Sequence, residues 1–142
     1  MDRYDAIVLG AGGVGSAALY HLARRGARVL GIDSTRPPHS LGSSHGHTRI
    51  IRQAYFEHPN YVPLLKESYH EWRALETRAG KQLFHQIGLV EVGPENGVVV
   101  PGVLRAAQEH QLAIESMSAA AIERRWPGLC VDNKMVGVYE PT

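Results

Sequence analysis

A glycine-rich turn lies between an apolar run and an alanine-rich stretch at the start of this chain, and it strongly constrains the fold. Residues 4–9 are mostly apolar, the turn at 10–15 reads GAGGVG, and residues 13–25 are rich in Ala and Leu before Gly26. A second apolar run at 28–32 is followed directly by Asp33. A strand, a G-x-G-x-x-G turn, a helix and a second strand, in that order, are typical of a dinucleotide-binding βαβ unit. The sequence therefore predicts an α/β fold with a Rossmann-like start.

The glycines of this turn have separate physical tasks. Gly10 allows the tight turn, Gly12 lets the backbone approach a pyrophosphate, and Gly15 lets the helix pack closely on the sheet. The N–H groups and the dipole at the start of the helix favour phosphates. Asp33 can accept hydrogen bonds from both ribose hydroxyls, and its charge would repel a 2′-phosphate. The predicted cofactor-binding residues of this segment are Gly10, Gly12, Gly13, Val14, Gly15, Asp33 and Ser34.

Two alternatives to this interpretation stay open at the glycine turn. Leu19 stands where the fingerprint often has Gly or Ala, so the helix can be slightly shifted while the phosphate site is kept. A glycine turn before a helix can also bind nothing, and the fingerprint alone does not distinguish FAD from NAD. That choice depends on the residues that follow Asp33.

The rest of the chain consists of apolar runs separated by segments that contain Gly, Pro and Ser. Residues 33–48 form a long loop, and the residues from 61 to 79 predict an amphipathic helix that ends at Gly80. Its apolar stripe, interpreted as core packing, consists of Val62, Leu65, Tyr69, Trp72 and Leu75. Strands are predicted within 83–92, at 112–115 and at 136–139, and helices at 101–111 and 118–126, the latter with Ser118 as N-cap.

Charge, hydropathy and cysteine content exclude several classes of protein. Fifteen basic and fourteen acidic residues give a net charge of +1, so nothing in the composition suggests nucleic acid as a partner. No apolar run approaches the roughly 18 residues of a membrane span, and the N-terminus does not resemble a secretion signal. Cys130 is the only cysteine. These features predict a cytoplasmic protein without membrane contact.

A histidine- and arginine-containing segment follows the first strand pair. Residues 37–55 read PPHSLGSSHGHTRIIRQAY. This run resembles the flavin-contacting stretch of the monomeric sarcosine oxidase and N-methyltryptophan oxidase family of FAD-dependent amine oxidases. The resemblance continues through residues 61–64, Trp72 and residues 125–128, so it covers nearly all of the chain. It implies FAD as the cofactor and a glutathione-reductase-like FAD-binding fold.

The resemblance also implies a reaction. Enzymes of this family pass a hydride from the carbon beside a secondary amine to the flavin, and the imine product hydrolyses to an aldehyde and a primary amine. Oxygen then reoxidises the flavin and is reduced to hydrogen peroxide. The implied partners are a small-molecule N-methyl amino acid, such as sarcosine or N-methyltryptophan, and O2.

Site residues follow from the resemblance position by position. Arg52 corresponds to the arginine that pairs with the substrate carboxylate, and His45 and Arg49 are expected at the flavin ring, where fixed positive charge favours the reduced anion. The loop around the ring would contain Gly42, Ser43, Ser44 and Thr48. An alternative is that Arg49 and Arg52 are ordinary surface charges. His45 and His47 have no nearby third ligand, so no metal site is predicted.

The family pattern further implies that residues 1–142 are the N-terminal part of an FAD-binding oxidoreductase domain, incomplete, with part of the substrate-domain insertion. Residues 1–36 would form the βαβ start, residues 37–55 the flavin-contacting loop, and residues 84–142 the elements that lead toward the substrate domain. Two parallel strands alone would leave apolar faces uncovered. We therefore expect a fragment, a truncated product or one part of a split enzyme that needs a C-terminal half and is inactive alone.

Other functions fit the same residues less fully. Another FAD-dependent amino-acid oxidase, of the glycine or D-amino-acid type, is the nearest enzyme alternative. A non-catalytic nucleotide-binding remnant and an NAD-dependent dehydrogenase are alternatives of different classes. The segment from 37 to 55 argues against the dehydrogenase.

Overall fold

The computed structural model describes residues 2–142, and the chain divides into two compact units. The first extends to Arg49, and the second is Ile50–Thr142. Each unit contains its own sheet, with two strands in the first and three in the second.

The first unit is the predicted βαβ start. It consists of β1 (Ala6–Leu9), α1 (Gly13–Arg24) and β2 (Val29–Ile32). The two strands pair in parallel, from Ala6 opposite Val29 to Leu9 opposite Ile32. The parallel α/β fold predicted from the sequence is thereby confirmed.

Helix α1 covers only one face of this two-stranded sheet. A side chain added at Gly31 would meet Leu19 of α1 at 2.7 Å, so that face is closely packed. The opposite face carries Ile7 and Leu9, which are 58% and 79% exposed. Among residues 2–49 none is buried, as expected for a parallel sheet with too few covering elements.

A long connection without helix or strand follows β2. It extends from residue 33 to residue 60, which includes the loop predicted at 33–48. Loops of this length in compact domains are usually functional. The residues that resemble the flavin-contacting stretch all lie in this connection.

The second unit contains three helices and three strands, which alternate along the chain. Its elements are α2 (Tyr61–Ala79), β3 (Leu89–Pro94), α3 (Val99–His110), β4 (Glu115–Ser118), α4 (Ala119–Arg125) and β5 (Met135–Glu140). The strands are antiparallel in the order β3-β5-β4. Leu89 pairs with Glu140 at one end of the sheet, and Tyr139 pairs with both Val90 and Glu115.

The core of the second unit lies where α3 packs on β3 and β5. Val100 and Val103 of α3 cluster with Ala54 and with Val138 of β5. Gly102 permits this arrangement, because an added Cβ would lie 2.3 Å from the carbonyl oxygen of Phe56. The segment at 54–56 is therefore held closely against α3.

Local sequence signals identify several element ends correctly. Helix α2 ends at Gly80, which adopts the left-handed conformation (φ 60°). The Ser118 hydroxyl caps α4 by accepting a hydrogen bond from the Ala121 amide at 3.3 Å. Among the stripe residues of α2, Val62 and Tyr69 are buried, whereas Trp72 is 41% exposed and does not belong to the core.

Two strand predictions were wrong in position. Residues 83–88 form no strand, because the amides of Leu83 and Phe84 donate to the Glu76 carboxylate instead of to a neighbouring strand. The strand predicted at 112–115 lies at 115–118, since the Leu112 amide still bonds to the Ala107 carbonyl at the end of α3. Within residues 2–142, no helix combines the length and the apolar character that crossing a bilayer requires.

Candidate functional site

The glycine turn between β1 and α1 is shaped by close backbone contacts. Gly10 has φ +88°, and its amide donates to the Ile32 carbonyl at 2.7 Å. A Cβ at Gly15 would lie only 1.7 Å from the Gly10 carbonyl oxygen. The turn therefore requires glycine at position 10 for its conformation and at position 15 for its packing.

The N-terminus of α1 is open to a ligand. Gly12 occupies the N-cap position without a side-chain hydrogen bond, and the first turn carries no acidic residue. Nothing lies within 4 Å of a Cβ built on Gly12. Uncapped amides at a helix N-terminus, with open space in front of them, favour a phosphate group.

Asp33 lies at the end of β2, beside this turn. Its Oδ2 accepts a hydrogen bond from the Ala11 amide at 2.6 Å, and its Oδ1 accepts one from the Thr35 amide at 3.1 Å. These two amides, Ala11 first, hold the pKa of the Asp33 carboxyl below its usual value. The acid is thus anchored to the glycine turn in its charged form, and the neighbouring Ser34 hydroxyl donates to Oδ1 at 3.5 Å.

The first part of the loop returns to the glycine turn. A Cβ on Gly13 would lie 2.6 Å from the Ser44 hydroxyl oxygen, so Ser44 and Gly13 are in direct contact. His45 Nδ1 donates to the Gly42 carbonyl. Two groups of predicted cofactor residues that are separated by about thirty positions are thereby brought together in the first unit.

Arg49 stabilises the end of this loop through hydrogen bonds to backbone carbonyls. Its guanidinium donates to Thr48 O at 2.7 Å and to Ser43 O at 3.5 Å. Gly46 leaves room for it, since a Cβ there would lie 2.8 Å from Arg49 Nη1. The loop residues predicted as cofactor-binding or catalytic are all exposed, namely Gly42, Ser43, Ser44, His45, Thr48 and Arg49.

Arg52 belongs to the second unit and has a different environment. Its Nη2 donates to both carboxylate oxygens of Glu57, at 3.2 and 3.0 Å, and its Nε lies 3.5 Å from Glu91 Oε1. The guanidinium carbon is 4.3 Å from the ring centroid of Tyr55 and 5.0 Å from that of Phe56. The buried Nε makes no hydrogen bond. The guanidinium therefore contacts two carboxylates, that of Glu57 through hydrogen bonds and that of Glu91 at ion-pair distance.

Acidic side chains surround Arg52. Burial raises the pKa of the Glu91 carboxyl, the Arg52 guanidinium opposes that rise, and the charges of Glu140 and Glu57 add to it. Glu140 is only 3% exposed, and its carboxylate accepts from the amides of Gln53 at 2.8 Å and Ala54 at 2.6 Å. The backbone that follows Arg52 is thus fixed by a buried acid.

Sequence reasoning did not identify these partners. Glu91 and Glu140 interrupt apolar strands, LVEV and MVGVYE, and a charge in such a strand is a signal of a buried partner. Glu57 and His39, which lies 3.4 Å from Asp33, carry no comparable signal in the sequence. Among residues 2–142, no three His, Cys, Asp or Glu side chains form a group that could hold a metal ion.

The features around the glycine turn fit the adenosine diphosphate half of FAD. The open N-terminus of α1 suits the pyrophosphate, the space at Gly12 admits its close approach, and Asp33 can recognise the ribose.

Similar sequences occur among FAD-dependent oxidoreductases. The family model described as "FAD dependent oxidoreductase" matches residues 5–142. The chain is 42% identical over 138 residues to an N-methyl-L-tryptophan oxidase of Yersinia pestis, a match that covers 97% of this chain and 37% of that protein. An N-methyl-L-tryptophan oxidase of Yersinia pseudotuberculosis gives the same values. The chain thus spans about 37% of the length of these relatives.

Solved structures show the same fold. NikD, an unusual amino acid oxidase essential for nikkomycin biosynthesis, matches with a TM-score of 0.83 and 28% identity over 99% of this chain and 37% of its own. The L-proline dehydrogenase of P. horikoshii matches with a TM-score of 0.75 and 20% identity, over 99% of this chain and 37% of its own. The likeness to the dehydrogenase concerns the fold alone.

Proposed function

Because the chain belongs to the family of FAD-dependent oxidoreductases, we propose that it provides the cofactor-binding start of an oxidase of N-methyl amino acids. The observation that carries this proposal is the 42% identity to N-methyl-L-tryptophan oxidases over 138 residues. The substrate class is an amino acid whose amine carries an N-methyl group, and O2 is the second substrate. Since the chain spans only 37% of those relatives, the activity is assigned to the holoenzyme.

We assign the cofactor to the first unit. The amides at the N-terminus of α1 would bind the pyrophosphate, with Gly10, Gly12, Gly13, Val14 and Gly15 forming the turn, and Asp33 and Ser34 would hold the ribose. Gly42, Ser43, Ser44 and Thr48 would shape the loop beside the flavin. When bound, FAD supplies the acceptor for the hydride that leaves the amine substrate.

Two side chains of the loop are assigned to the flavin ring itself. Arg49 supports this role because both of its hydrogen bonds are to neutral carbonyls, and no carboxylate of residues 2–142 is paired with it. Its positive charge is therefore available to stabilise negative charge on a ligand. His45 is held by its bond to the Gly42 carbonyl, which leaves Nε2 as the free ring nitrogen.

We assign the substrate carboxylate to Arg52. The guanidinium is stacked on two rings, and it holds the half-exposed Glu57 carboxylate in a way that a substrate carboxylate can imitate. A substrate would add to the guanidinium or displace Glu57, whose side chain is 42% exposed.

The substrate class is tested by the release of hydrogen peroxide from the FAD-loaded holoenzyme. We expect turnover with N-methyl-L-tryptophan or sarcosine, and little with glycine, L-proline or D-alanine. Peroxide release from glycine or D-alanine alone would reject the N-methyl amino acid in favour of another amino-acid oxidase. Absence of turnover with all five compounds, despite bound FAD, would reject oxidase activity on simple amino acids.

Replacing Arg52 with lysine is expected to raise KM for an N-methyl amino acid by about 10- to 100-fold, because lysine cannot hold a carboxylate through two parallel hydrogen bonds. Steady-state kinetics of the holoenzyme measure this change. Arg125→Lys is the matched control, since Arg125 also stacks on aromatic rings, with Tyr139 at 4.1 Å, and pairs with Glu115 at 2.7 Å. If Arg52→Lys and the unmodified enzyme had the same KM, Arg52 would not be the residue that binds the substrate carboxylate.

A further inference from the structure

His39 connects Asp33 to the loop that follows β2. Its Nε2 lies 3.4 Å from Asp33 Oδ1, and its Nδ1 accepts a hydrogen bond from the Leu41 amide at 3.2 Å. Since Nδ1 is an acceptor, the ring proton lies on Nε2, the nitrogen nearest to the Asp33 carboxylate, at an ion-pair distance and not in a formed hydrogen bond. Both side chains are mostly shielded from solvent, at 18% exposed for His39 and 12% for Asp33.

Asp33 is thereby held from three directions. The Ala11 amide binds Oδ2 on the side of the glycine turn, and the Thr35 amide binds Oδ1 on the side of the loop. His39 approaches the same Oδ1 from within the loop. The two amides fix the position of the carboxylate, and the ring limits its rotation. Oδ2 has the Ala11 amide as its donor from the chain and is the oxygen open to a ligand.

The ring of His39 also lies beside the loop assigned to the flavin. A Cβ at Gly42 would be 3.9 Å from His39 Cε1, so the ring lies next to the start of that loop. The same loop reaches the glycine turn two residues later, where Ser44 contacts Gly13. His39 therefore joins the ribose acid to the segment that contains the remaining cofactor residues.

We propose that His39 is a positioning residue for Asp33, and that its Nε2 keeps the carboxylate in the orientation that binds the ribose hydroxyls of the adenosine half of the cofactor. This inference rests on the proposed function, because it requires an adenine dinucleotide at the glycine turn. A fixed acceptor loses less conformational freedom on binding than a mobile one, so the contribution of His39 is a gain in affinity.

Two substitutions separate the two contacts of the ring. His39→Asn retains an acceptor near the position of Nδ1, for the Leu41 amide, and removes the donor that faces Asp33. His39→Gln places an amide N–H at the reach of Nε2 and removes the acceptor for Leu41. If His39 acts by orienting Asp33, the glutamine variant retains cofactor affinity and the asparagine variant loses it.

The test uses the full chain without cofactor and two nucleotides, ADP and 2′,3′-dideoxy-ADP, with dissociation constants from isothermal titration calorimetry. We expect His39→Asn to weaken ADP binding by about 10-fold and dideoxy-ADP binding by less than about 2-fold, with ADP affinity for His39→Gln within about 3-fold of the unmodified chain. The ligand without hydroxyls has no donor for Asp33, so the orientation of the acid no longer matters.

Three other outcomes would contradict this inference, and each has a different cause. Equal weakening of both nucleotides by His39→Asn would show that His39 only supports the loop. Unchanged or tighter ADP binding would show that His39 competes with the ribose instead of preparing its site. If the unmodified chain binds neither nucleotide, the proposed cofactor site itself is wrong, which is distinct from a failure confined to the variants.

Discussion

The Gly15→Ala variant is expected to lose the glycine turn and, with it, more than about 100-fold in affinity for FAD. The added methyl group would lie 1.7 Å from the carbonyl oxygen of Gly10 and 2.9 Å from its carbon, and both atoms belong to the backbone. Overpacking of this severity costs at least about 3 kcal/mol, because β1 and α1 must move apart. Quenching of flavin fluorescence measures the binding, and circular dichroism on heating measures the loss of structure.

Gly12→Ala separates the effect on the ligand from the effect on the fold. A Cβ at Gly12 meets nothing within 4 Å, and its φ of −70° suits alanine, so the unfolding temperature should stay within a few degrees. The methyl group would nevertheless occupy the space through which the pyrophosphate approaches, and FAD affinity should fall by about 10-fold or more. Gly128→Ala, also in open space but far along the chain, should change neither quantity. Normal FAD binding by Gly15→Ala would contradict the assignment of the turn.

The second large effect concerns the buried carboxylate of Glu140. Replacing it with alanine removes the acceptor of the Gln53 and Ala54 amides, which bond to it at 2.8 and 2.6 Å. Buried amides without acceptors cost about 1–3 kcal/mol each, so the free energy of unfolding should fall by about 3–5 kcal/mol. Urea denaturation followed by circular dichroism measures this loss. Glu140→Gln keeps one carbonyl oxygen as acceptor, and its loss should be about half as large.

A matched control for Glu140 lies in the same sheet. Glu115 pairs with Arg125 at 2.7 Å, but its side chain is 57% exposed. Exposed pairs contribute less than about 1 kcal/mol, so Glu115→Ala should change the unfolding free energy only slightly. If both alanine variants lost the same free energy of unfolding, the hydrogen bonds from the backbone to Glu140 would contribute no more to stability than the exposed ion pair of Glu115.

Features that depend on neighbouring residues could be predicted from the sequence. Residues within a few positions determine three such features, and the structure contains all of them: the turn at 10–15, the end of the helix at Gly80 and the cap at Ser118. The position of Asp33 beside the turn also followed, because parallel strands bring their carboxyl ends to one edge of the sheet.

Features that depend on distant residues could not be predicted in the same way. The order β3-β5-β4 requires knowledge of which strands pair, and the short, mostly polar β4 (ESMS) carries no pattern that specifies its neighbour. The position of Arg52 beside Glu91 depends on the same pairing, since Glu140, which holds the backbone after Arg52, lies more than eighty residues away. Resemblance assigned a role to Arg52 but not to the acids that hold it.

The link between Glu140 and Ala54 also has a consequence for folding during translation. The two residues are 86 positions apart, and ribosomes add about 5–20 residues per second from the N-terminus, so roughly 4–17 s separate their synthesis. During that interval Arg52 can already pair with Glu57, whereas the amides of Gln53 and Ala54 have no acceptor. The segment beside Arg52 is therefore expected to stay open to chaperones and proteases until β5 has been synthesised.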